Sequence, residues 1–210
     1  MKKKILTLCL VLALFAAAMI GGTLAYFTDT DNKTNTFTVG KVDITLTEPA
    51  WKEEEAKLIP GRVIPKNPTI TVAADSERAY TFMKVQLSSD LMELMKAYYG
   101  PNYDFADNYK TVIGDWFVTS VSPKIMDVDL ENGSVILGVL SPKDPGQSVT
   151  YFDAVRIPAG VDAGMLKADG RYTIEVTAYA IQAEGFEGDG ADPQSARQAA
   201  YNALFPPVSR

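Results

Sequence analysis

The chain contains no histidine in its 210 residues, and its single cysteine is Cys9, inside an apolar N-terminal run. Each absence removes a class of chemistry. A catalytic zinc site draws on imidazole or thiolate ligands. Ser-His and Cys-His nucleophile pairs need imidazole. Without Cys9 no thiol is left, so no disulfide is available, and a chain of this size needs none. Basic residues are also in deficit, 20 against 26 acidic ones. Removing residues 1–25 takes away three lysines and no acid, leaving a balance of −9. Such a chain is repelled by phosphates, which argues against nucleic acid as a partner.

What is present begins with a secretory pattern. Lys2, Lys3 and Lys4 precede an uncharged apolar run from Ile5 to Ile20, and Gly21-Gly22 breaks it. Thr23 and Ala25 supply small residues at positions −3 and −1 of a cut after Ala25, leaving Tyr26 as the new N-terminus. This is the order of a cleaved signal peptide over residues 1–25. An uncleaved anchor is the competing reading, since a bilayer span takes about 20 apolar residues.

A polar arm follows, rich in Thr, Asp and Asn, with Tyr26 and Phe27 at its tip. Phe37 and Val39 alternate on one parity, and Val42, Ile44 and Leu46 on the other, with Gly40 at the slip. A one-residue slip in a period of two implies a bulge or a change of partner. Residues 26–39 therefore read as an arm and residues 40–210 as one domain with a real core, in keeping with the 47% hydrophobic content.

The stretch GGTLAYFTDTDNKTNTFTVGKVDITL resembles the N-terminal signature of the TasA/camelysin family of secreted biofilm-matrix proteins. The matching features are Gly21-Gly22, Ala25, Tyr26-Phe27, the polar stretch Asp29 to Asn35, Phe37 with Gly40, and the strand Val42 to Leu46. The resemblance implies a jelly roll, a dedicated signal peptidase and fibres built by strand exchange. Tyr26, Phe27, Phe37, Val39 and Gly40 would then be the assembly residues. The partners implied are further copies of the chain, head to tail, and an accessory fibre protein. The destination is the extracellular matrix or cell surface.

Further along, Glu48 to Lys57 reads as a surface connection, and Pro60, Pro65 and Pro68 restrict the next segment to loop or sheet edge. Ile70 and Val72 start a short strand, and Ala79 to Ser88 form a long one covered on both faces. Ser89-Asp90 should cap a helix carrying Leu91, Leu94, Met95 and Tyr98, stopped by Gly100-Pro101. Tyr98 to Tyr109 reads as a ring-pinned loop or as a sugar-binding surface. Asp115 to Val121 reads as a strand bearing Trp116. Asn132-Gly133 between apolar runs predicts a tight hairpin. Val149, Tyr151, Val155 and Ile157 alternate as one strand, and Tyr172 to Gln182 as another. Asp192-Pro193 opens a last helix, and Pro206-Pro207 ends it.

The prediction is an all-β, antiparallel jelly-roll or β-sandwich fold of roughly eight strands, with an inserted helix and a C-terminal helix. No cofactor is expected. Calcium is a minority reading of Asp127, Asp129 and Glu131, of Asp29 with Asp31, and of Glu184, Glu187, Asp189 and Asp192. In the first of these groups Gly133 falls at the seventh position, whereas an EF-hand loop needs glycine at the sixth. Nothing selects a pair of carboxylates for catalysis, so the reading is a non-enzymatic fibre subunit. The alternatives are a monomeric cell-surface glycan-binding jelly roll using the Tyr98 to Tyr109 loop, and an accessory or anchoring subunit of such fibres.

Overall fold

The structure, a computed structural model, describes residues 41–187 and 191–206. The expected signal peptide and assembly arm, with Thr23, Ala25, Tyr26, Phe27, Phe37, Val39 and Gly40, lie outside the described residues. Within them run ten strands. They are β1 (Ile44–Thr47), β2 (Val63–Pro65), β3 (Thr69–Val72), β4 (Ala79–Leu87), β5 (Phe117–Val118), β6 (Lys124–Asp129), β7 (Ser134–Gly138), β8 (Ser148–Thr150), β9 (Ala154–Arg156) and β10 (Ile174–Gln182). Helix α1 spans Ser89–Tyr99, α2 Tyr109–Trp116 and α3 Pro193–Leu204.

The strands form three sheets, ordered β1-β3-β8, β10-β4-β7-β6 and β2-β9-β5, and every pairing is antiparallel. The all-β sandwich with helices is therefore present. The strand order by itself gives three sheets and does not define a jelly-roll winding.

Strand β4 organises the packing. Met83, Val85 and Leu87 point to one face, where they meet Leu137 of β7, Ile70 of β3, Val155 of β9 and the buried side of α1 and α2. Tyr80 and Phe82 point to the other face and meet Ile136, Ala196 and Ala200. Alanines at 196 and 200 lie one helical turn apart, so α3 can approach this second face closely. Each large side chain buried this way contributes about 1.5–3 kcal/mol.

Several elements depart from the sequence expectation. The Ser89-Asp90 cap is displaced by one residue: Ser88 is the N-cap, and its Oγ accepts from Leu91 N at 3.3 Å. Asp90 instead accepts from Lys167 Nζ and Arg171 N. Of the strand expected over Asp115 to Val121 only Phe117–Val118 is strand, as β5; Asp115 and Trp116 end helix α2, where Val112 and Trp116, four residues apart, share one buried face. The single strand expected from Val149 to Ile157 is two, β8 and β9, which join different sheets. Strand β10 begins at Ile174 and lies on a sheet edge.

The hairpin at Asn132-Gly133 is present but has a four-residue loop, since Asp129 pairs with Ser134. Asn132 N donates to Asp129 Oδ1 at 3.1 Å and fixes the loop. Gly133 has φ +70°, and a Cβ there would lie 2.7 Å from the carbonyl oxygen of Leu87. Asp129 is thus a turn residue. Pro65 sits on β2, an edge strand, as its missing N–H requires. Asp192 caps α3, its carboxylate accepting from Ser195 N at 3.0 Å with Pro193 at the first helical position.

Candidate assembly surface

Two sheet edges face the same gap in the sandwich. Strand β6 is one edge of the four-stranded sheet, and β5 is an edge of the β2-β9-β5 sheet. Between them lies an apolar groove of about 230 Å³, lined by Val85, Ile113, Phe117, Ile125, Leu137 and Phe152 among others. Strand β6 carries a register shift between Ile125 and Asp127, so this edge is bulged. Phe117 and Phe152 pack edge to face at 5.1 Å between ring centres. Gly114 of α2 also lines the groove, and a Cβ there would meet nothing within 4 Å.

An edge strand presents unpaired N–H and C=O groups, and an incoming strand can pair with them. Here such an edge stands beside apolar surface, so a strand carrying apolar side chains at alternate positions would be held by both. Sequence reasoning did not find the groove. Its lining residues are scattered from Val85 to Phe152, and only folding brings them together.

The loop proposed as a sugar-binding surface is built differently. Tyr99 and Tyr103 stack at 4.3 Å, Phe105 packs against both, and Tyr98 meets the buried Trp116 at 6.1 Å. Tyr99 Oη donates to Asp115 Oδ2 at 2.8 Å. Burial first, and then that carboxylate, push the Tyr99 phenol well above its usual range. These rings pin the loop to one another and to α2.

The first 108 residues of the chain match the model of the camelysin metallo-endopeptidase family. The chain belongs to that family, which includes TasA. The camelysin match includes β1 to β4 and α1. No curated protein and no solved structure matches the chain.

The camelysin description names a metallopeptidase, so the donor set bears on it directly. The chain has no histidine and one cysteine, Cys9. Among the described residues no three His, Cys, Asp or Glu side chains group so as to hold a metal ion. These residues do not fit the metal that the description implies. No helix among them is long and apolar enough to cross a membrane.

Proposed function

We propose that the chain is a secreted structural subunit of extracellular, biofilm-matrix fibres rather than an enzyme. The observation that carries this reading is the family match, because it spans the segment in which the assembly residues were predicted. In this reading a dedicated signal peptidase cuts after Ala25 and frees Tyr26. Residues 26–39 then act as a donor strand for the next copy, and the β5–β6 groove receives it. Phe37 and Val39, two residues apart, present side chains to the same side of an extended strand. Large apolar side chains seated there would each contribute about 1.5–3 kcal/mol. The contact is head-to-tail and does not close, so it generates a filament. An accessory fibre protein would be a further partner.

Electron microscopy of the purified secreted protein, with and without residues 26–38, tests this. The intact protein should form fibres, and the truncated one should remain a folded monomer. Phe37→Asp should weaken fibres without unfolding the domain. Normal fibres from the truncated protein would remove the arm from the joint. Chelator-sensitive peptidase turnover would overturn the structural role.

A further inference from the structure

A second cleft, of about 380 Å³, opens between the β1–β2 connection and the start of β10. It shares no lining residue with the β5–β6 groove. Lys66 lines it, with a side chain only 6% exposed. Lys66 Nζ lies 2.7 Å from Glu48 Oε1 and 4.6 Å from the centre of the Trp51 ring. Trp51 is itself 38% exposed, and Glu53 and Tyr172 complete the rim.

A buried ammonium is costly unless its donors are satisfied. Lysine has three N–H donors. Among the described residues the Glu48 carboxylate is the one acceptor placed against it, and the Trp51 face supplies a cation–π contact. Donor capacity therefore remains at a buried charge that lines open space. The volume falls within the range of small-molecule sites, about 300–1,000 Å³, and a few polar groups among apolar walls are typical of them.

The polar groups select the ligand. Two carboxylates and one ammonium oppose an anion, as does the acidic balance of the whole chain. An apolar ligand would leave the remaining donor capacity of Lys66 unanswered. A sugar ring answers both demands. Its hydroxyls accept from Nζ and donate to the carboxylates, while its C–H face lies against an aromatic ring. We propose that the Trp51–Lys66–Glu48 cleft binds a hexose unit of a neutral polysaccharide.

The purified protein should be titrated by calorimetry with cellohexaose, chitohexaose and a β-1,3-glucan hexamer, with an oligouronate as the anionic comparison. Tryptophan emission gives a second signal. The chain has two tryptophans, and Trp116 is fully buried, so a change reports on Trp51. At least one neutral oligosaccharide should bind saturably and shift the emission. Trp51→Ala and Glu53→Gln, both at the rim, should weaken binding at least about tenfold, or 1.4 kcal/mol. Tyr103→Ala in the pinned loop should leave binding unchanged. No saturable binding at millimolar saccharide, binding of the oligouronate alone, or undiminished affinity in folded Trp51→Ala would each overturn the proposal. Fibre formation enters none of these readouts, so the assembly reading stands or falls separately.

Discussion

Tyr151 Oη donates to the carbonyl oxygen of Thr81 at 2.6 Å inside the core and lies 3.0 Å from the Thr81 hydroxyl. Tyr151 is fully buried and stands between β8 and β9, where the chain leaves one sheet for another. Its backbone N–H donates to Pro68 O at 3.0 Å. One residue thus ties the sheet crossover to the central strand β4. Burial raises the phenol well above its usual range, so it stays protonated and remains a donor.

Tyr151→Phe keeps the ring and removes the donor, leaving the Thr81 carbonyl without that partner. A buried polar group stranded in this way costs about 1–3 kcal/mol. The urea midpoint should fall accordingly, with the m-value unchanged. An unchanged midpoint would mean that the Thr81 carbonyl finds another donor.

Ser88 does more than cap α1. Its Oγ also accepts from Thr173 N at 3.0 Å and donates to Arg171 O at 2.8 Å, joining the helix start to the approach to β10. Ser88→Ala should therefore cost at least the ~1 kcal/mol of an ordinary cap. Ser89→Ala, at the exposed neighbour, should cost little. Denaturation curves of the two variants separate the cap assigned by the structure from the one expected at Ser89-Asp90.

The cap at Ser88 shows where sequence reading loses resolution. Three consecutive polar residues, Ser88, Ser89 and Asp90, all suit an N-cap, and Thr173 and Arg171 decide among them from 85 and 83 residues away. Asp192-Pro193 has no such rival, and α3 starts where expected. Helix α2 was hidden for a different reason. Its sequence, YKTVIGDW, is rich in β-branched and aromatic residues, which favour a strand, and its glycine disfavours a helix. Burial of Val112 and Trp116 outweighs that preference. The odd-numbered residues Val149, Tyr151, Val155 and Ile157 are all buried, which suggests one strand, although Phe152 and Ala154 are buried too and Asp153 is not, where the chain changes sheets. A period records which way side chains point and not which strand they pair with. The assembly groove was illegible on the same grounds, since five separate elements build it.

Asp90 should give the acid limb of stability a recognisable component. Its hydrogen bond from Lys167, and then that from Arg171 N, hold the carboxyl below its usual range. A folded-state value below the unfolded one, about 3.9, adds stability that is complete above the unfolded value. That stability is lost as pH falls through the lowered folded value. Asp90→Asn should therefore be less stable than the parent at neutral pH, and the gap should close in strong acid. Midpoints measured from pH 7 downward check this. A gap constant with pH would assign the loss to packing rather than to charge.

The last prediction separates assembly from stability at one position. Gly114 lies inside α2, lines the β5–β6 groove, and has open space where a side chain would go. Replacing glycine within a helix gains about 0.8–1 kcal/mol on the alanine scale, and leucine is close to alanine. Gly114→Leu should therefore raise the unfolding midpoint. The same side chain projects into the groove proposed to receive the arm, so fibres should shorten or disappear. Gly114→Ala should share the gain in stability and obstruct the groove less. Loss of fibres in a variant more stable than its parent cannot come from unfolding and would locate the acceptor site. Fibres of normal length from a stabilised Gly114→Leu would move that site to another edge, with β10 the longest edge strand among the described residues.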